Sequence, residues 1–285
     1  MTVLAEPDWT ARAARHRERV AALIGPYLAA RRTGTRHPVI DFLFTYYPYR
    51  PAQLERWHPG FGVLLTGGEY ASSRGYCTAT RDAVDGVTVD PAYLRRRRDT
   101  LRWTVDLLAA TASRPARLGC FGLHEWAMVY RSDRPRHQVP LRLGRAGTDA
   151  VVESMPLRCT HYDAYRFFTA AAAPRNAEPL SRDRQFRSEQ PGCLHATMDL
   201  YRVTVKLMPL LDSDLLADTF ELAYTARELD MRASPYDLSG YGYTPVQIET
   251  PAGRAQYVRE QQKIASRGDV LRATLLERCR GLLAA

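Results

Sequence analysis

Glu189-Gln-Pro-Gly-Cys-Leu-His-Ala-Thr-Met-Asp-Leu-Tyr-Arg-Val-Thr-Val-Lys-Leu-Met208 reads as one helix carrying one functional histidine, His195. Leu194, Met198, Tyr201, Val205 and Met208 recur at helical spacing and define a face turned to a core. Beside it runs a second stripe, His195, Asp199, Arg202 and Lys206, which sets a titratable imidazole next to the buried face with a carboxylate one turn on. Pro191 suits a first helical turn, and Pro209 ends the helix near Met208. The plainer account of the same stripe is a partly buried histidine bonded to Asp199.

A chain of 285 residues can bury a large core, and its hydrophobic and charged fractions, 45% and 25%, are those of an ordinary soluble protein. No apolar run approaches the roughly 18 residues of a membrane span. The first residues lack a basic segment followed by an apolar one, so a cytoplasmic location is expected. The net charge of +9 is compatible with nucleic acid or with bound carboxylates. Only Lys206 and Lys263 are lysines, leaving arginine as 38 of the 40 basic residues, a bias that points to base composition of the gene rather than to a selected surface. Five cysteines stand far apart in sequence, which suits a reduced compartment without structural zinc.

Outward from the decisive helix, the chain reads as mainly α-helical, a single domain over 1–285 without repeats, with long loops and little or no sheet. Asp8 is expected to cap a first helix with Val20, Leu23, Ile24, Tyr27 and Leu28 on one face, interrupted by Gly25-Pro26. Residues 38–51 are aromatic and carry three prolines, too many for a long regular helix. Residues 59–89 show glycine turns and no clear period, and are expected to be loop with at most a short hairpin. Asp90-Pro91 starts a helix with Leu94, Leu101, Val105 and Leu108 inward and Arg95 to Arg98 mostly outward. A polar link at 131–137 and a short extended piece at 138–144 follow. Thr160 is expected to cap a helix from His161 to Phe168, with Asp163 completing a capping box. Ser213, between Asp212 and Asp214, caps the next helix, and a Gly/Tyr/Ser/Pro loop at 232–245 has the composition of a segment that covers substrate. A last, mostly polar helix spans about 252–283.

No phosphate-binding glycine loop, nucleophile elbow or His-Glu-x-x-His zinc helix is present, since His124-Glu125 lacks the second histidine. His124, Glu125, His161, Asp163, His195 and Asp199 remain as candidates. Two arrangements compete for them. In one, two histidines and a carboxylate from different helices hold non-heme iron with positions open to dioxygen. In the other, His195 alone ligates heme iron, Asp199 accepts its other ring proton, and arginines and aromatics complete the pocket.

The His195 helix after Gln-Pro-Gly-Cys-Leu, in a chain of this size with a Tyr/Gly/Ser loop downstream, resembles the histidine-ligated heme-dependent aromatic oxygenases, in particular the heme-dependent tyrosine hydroxylases of the tryptophan 2,3-dioxygenase superfamily. The likeness covers 119–249. It implies a helical bundle of that superfamily, non-covalent heme b, and hydroxylation of L-tyrosine to L-DOPA with hydrogen peroxide in secondary metabolism. Some relatives attach heme through a cysteine four residues after the axial histidine; here Asp199 stands at that position. By the same resemblance His195 is the axial ligand, with Asp199, Trp126 and Arg131 around the heme. His124 or His161 moves the peroxide proton, and Arg187, Arg232 and Tyr241 contact the aromatic amino acid, with Arg131 a further candidate for its carboxylate. Gln185-Phe186-Arg187 looks like the carboxylate-binding piece of the dioxygenase but lies too near His195 for the order to match. No nucleic acid and no membrane partner are expected, and the last helix suits a homodimer. The rival classes are a DNA-repair protein of the 3-methyladenine glycosylase type, compatible with +9 but lacking a helix-hairpin-helix, and a binding module without catalysis.

Overall fold

The computed structural model describes residues 1–133 and 139–285. Most of the expected polar link, and Gln138 at the start of the extended piece, therefore lie outside the described residues. In chain order the elements begin with β1 (Thr2–Leu4), α1 (Glu6–Arg32), α2 (Asp41–Thr45), α3 (Pro51–Glu55), β2 (Val63–Leu65), β3 (Tyr76–Arg81) and β4 (Val84–Val89). Then come α4 (Pro91–Arg96), α5 (Arg98–Ala112), α6 (Leu123–Ala127), α7 (Gly144–Ser154), α8 (Tyr162–Tyr165) and α9 (Gln185–Ser188). Three long helices close the chain: α10 (Leu194–Leu207), α11 (Ser213–Arg232) and α12 (Pro251–Ala284).

Helix α10 is the centre. It starts at Leu194, so Pro191 lies just ahead of it rather than in its first turn, and Met208 caps it before Pro209. Every residue from Leu194 to Tyr201 is buried. A helix buried on all sides needs neighbours on all sides, and α10 packs on α11 and α12, which also pack on each other. α5 lies on α12 and α9, and α1 on α11. One hydrophobic cluster runs from Trp9 and Ile24 of α1 through Leu200 and Phe220 to Leu282 of α12.

A helical class is thus correct, and the sheet that accompanies it is small. Four strands form a sheet in the order β1-β2-β4-β3, with β1 parallel to β2 and the other pairs antiparallel. Its hairpin pairs Tyr76 with Val89 through Arg81 with Val84. The turn residues Asp82 and Ala83 are both left-handed, at φ 50° and 62°. That is the conformation of a two-residue turn matched to strand twist, and it is normally signalled by glycine or asparagine. The short hairpin expected within 59–89 is thus present, with an alanine in place of the usual turn residue. Gly86 explains a second irregularity: a Cβ at this position would collide with the Leu65 carbonyl of β2.

Several boundaries also move. Helix α1 begins at Glu6 with Pro7 in its first turn, so Asp8 lies inside the helix instead of capping it. It then runs unbroken through Pro26, the burial of Val20, Ile24 and Tyr27 outweighing the lost hydrogen bond. Asp90 caps α4 as expected, accepting from the Ala92 amide at 2.7 Å, but Arg97 separates α4 from α5. Asp212, not Ser213, caps α11 through the Leu215 amide. At α8 the expected capping box is absent: His161 occupies the cap position without a side-chain bond, and Asp163 is engaged by arginines. Among the described residues, no helix is long and apolar enough to cross a membrane.

Candidate metal centre

Three histidines expected to do chemistry come together although they lie on three separate segments. The His195 ring meets His124 edge-on, with centroids 4.5 Å apart, and lies parallel to His161 at 5.3 Å. His124 is delivered by α6, a short helix after the left-handed pair Phe121 and Gly122. That turn folds Cys120 back, so its sulfur lies 3.7 Å from His124 Nδ1. Gly122 is needed there, since a Cβ would press on Ala233 at 3.3 Å in a backbone at φ 73°.

The carboxylate that completes this group is Asp230 of α11. Its Oδ1 lies 2.7 Å from His124 Nε2, and both atoms are buried. At that separation the two form a buried His–Asp pair, and, against burial, the carboxylate raises the His124 pKa. His124, His195 and Asp230 each offer one ligand atom, and these atoms lie within 4.8 Å of one another. Two ligands about 2.1 Å from a shared ion stand about 3 Å apart when cis, with their lone pairs aimed at the ion rather than at each other. The 2.7 Å separation of the pair is close to that spacing. Asp230 Oδ2 is held by Arg227 Nη1 at 2.9 Å, and the same nitrogen bonds Glu125 at 2.7 Å. Arg227 also lies over the Phe42 ring.

Charge follows position. Burial lowers the His195 pKa far below the ordinary value, and the neighbouring His124 pushes it the same way, leaving a neutral imidazole. For His124 burial also disfavours the charged form, but Asp230 outweighs it and raises the pKa. Burial opposes ionisation of Asp230, yet His124 and then His195 and Arg227 hold its pKa below that of an ordinary carboxylate.

A second buried group adjoins the first. His161 Nδ1 is 3.1 Å from Glu189 and its Nε2 is 3.6 Å from Asp199. Burial disfavours the charged form of His161, but Glu189 and then Asp199 outweigh it and raise the pKa, and the Asp199 carboxylate is also 2.6 Å from Arg202. Arg202 bonds Asp163 in turn, which is met by Arg166 and Arg182. This chain of alternating charges is an ion-pair network, although its donor set is spaced to admit a cation.

Heme b does not fit these surroundings. His195 has imidazole neighbours on two sides, and the cavity it shares with His124 has a volume of about 10 Å³, room for one water. A cofactor of porphyrin size needs a pocket of several hundred Å³. Asp199, expected to accept the second ring proton of His195, is turned instead to Tyr47, Arg202 and His161. Trp126 is fully buried, with its indole N–H on the Ala233 carbonyl. Arg131 is exposed and paired with Glu153. Arg187 is exposed, Arg232 is spent on Glu260 and the Thr244 carbonyl, and Tyr241 sits on the surface against His37. None of these five side chains lines the His124–His195 cavity.

Asp230 and Arg227 escaped the sequence reading. Their signal was present, because Asp230 continues the inward face of α11 seven residues beyond Ala223, where a carboxylate demands a partner. Cys120, Cys159, Cys193, Tyr257 and Gln261 also line the cavity, and no local pattern marks them. No family model matches the chain, and neither a curated protein nor a solved structure matches it.

Proposed function

We propose that His124, His195 and Asp230 are the protein ligands of a mononuclear, non-heme iron site. The carrying observation is the convergence of two imidazoles and one carboxylate from three helices, their ligand atoms within 4.8 Å of one another. Two histidines and one carboxylate with positions left open form the donor set that selects iron(II) for oxygen chemistry. Iron, when bound, supplies activation of dioxygen or a peroxide.

The chain's own groups have separate tasks. Arg227 orients the Asp230 carboxylate and is itself fixed by Glu125. Cys120 faces the Nδ1 side of His124, leaving Nε2 for the ion. The walls exclude bulk water. Heme-dependent tyrosine hydroxylation is supported by the family resemblance alone, and the DNA-repair alternative by net charge alone.

The test is anaerobic titration of the full chain with iron(II) and, separately, cobalt(II), beside His195→Ala and Asp230→Asn, with a parallel heme reconstitution. One ion per chain is expected, with affinity falling by about 100-fold or more in either variant. A Soret band that disappears in His195→Ala would instead sink this reading and restore heme.

A further inference from the structure

The cavity beside the two ligand imidazoles has polar walls, and almost every polar atom in them is already used. Gln190 Oε1 accepts from the Arg117 and Gly192 amides, both at 2.8 Å, and its Nε2 donates to the Arg117 carbonyl and Thr160. Cys159 donates to the His161 carbonyl, and Cys120 meets His124 Nδ1. Gln261 differs. It is 1% exposed, and its Nε2 donates to the Gly192 carbonyl at 2.6 Å, which fixes the orientation of the amide. Its Oε1 is buried and has no donor. Among the described residues lining this cavity, it is a fully buried side-chain oxygen with no hydrogen-bond donor.

Resting on the metal reading, we propose that Gln261 Oε1 accepts a hydrogen bond from the exogenous ligand of the ion, so that the site takes water or hydroxide in preference to an aprotic ligand of the same size. The volume of about 10 Å³ limits the enclosed ligand to about the size of one water. A carbonyl oxygen without a donor disfavours any occupant that brings only lone pairs. Gln261 stands on α12, whereas the three metal ligands stand on α6, α10 and α11, so selection of the ligand is separate from retention of the ion.

The experiment uses the cobalt(II)-loaded full chain and fluoride, an anion of water's size without a proton, followed through the visible cobalt bands. Gln261→Met removes the acceptor at similar length, and fluoride affinity is expected to rise about fivefold, the worth of one hydrogen bond. Gln261→Glu keeps an acceptor and adds charge, so fluoride affinity is expected to fall below wild type. If the Met variant does not fold, the Glu variant decides, and unchanged or tighter fluoride binding in it overturns the inference. Equal fluoride affinity in all three proteins, with cobalt bound equally, overturns the role of Gln261 alone. Failure of the wild type to take up cobalt overturns the metal reading and this inference together.

Discussion

Arg227 shows what a single buried charge does to this fold. Its guanidinium is 1% exposed and neutralises both Glu125 and Asp230, so Arg227→Met leaves two carboxylates in the interior with only His124 nearby. Loss of about 3 kcal/mol of stability is expected, read as a lowered midpoint in urea, because a buried charge stripped of its partner costs that much. An unchanged midpoint would mean that the carboxylates are reached by solvent. His58 offers a test by pH. Burial, followed by the nearby Arg56, lowers its pKa to about 3, against roughly 6.5 in an unfolded chain. Between these values the unfolded chain binds a proton that the folded one refuses, so stability falls as pH drops from about 6.5 toward about 3. His58→Gln should flatten the fall between about pH 6 and about pH 4 by on the order of 1 kcal/mol per unit. Equal slopes in the two proteins would show that His58 takes up its proton in the folded protein as it does in the unfolded chain. At this scale the sequence was informative about histidines, because imidazoles are few, and uninformative about Arg227, one of many arginines.

At the level of elements, the hairpin of β3 and β4 stores a correctable flaw. Ala83 is exposed and left-handed, so Ala83→Gly relieves a strained backbone without removing a contact. A gain of about 1 kcal/mol is expected after the entropy cost of glycine, visible as a higher thermal midpoint. A lower midpoint would show that the turn in solution is not left-handed at this residue. The amphipathic periods of α5, α10 and α11 made those helices legible. The sheet was not, since β1 and β2 have three residues each and owe their existence to pairing partners about 60 positions away. Short helix α8 was overread for a related reason: its residues serve the His161 and Asp163 ion pairs more than they serve a helix.

The whole molecule converts a local donor set into stability. On the metal reading, an ion held by residues of α6, α10 and α11 binds the folded state and not the unfolded one, so stability should rise by about 2.7 kcal/mol at a free ion concentration 100 times the dissociation constant. Calorimetry with cobalt(II) should therefore raise the melting midpoint of wild type but not of His195→Ala, and equal shifts would place the ion elsewhere. The helical class could be read from periodicity, whereas the meeting of His124, His195 and Asp230 is a product of tertiary packing that no local pattern encodes. The placement of Gln261 and Tyr257 on the final helix has a consequence for biosynthesis. The ribosome makes α6, α10 and α11 before α12, so the nascent chain has every ion ligand while one wall of the pocket is still missing. On the metal reading, an ion reaching the ligands during that interval meets a pocket without the wall that carries Gln261 and Tyr257.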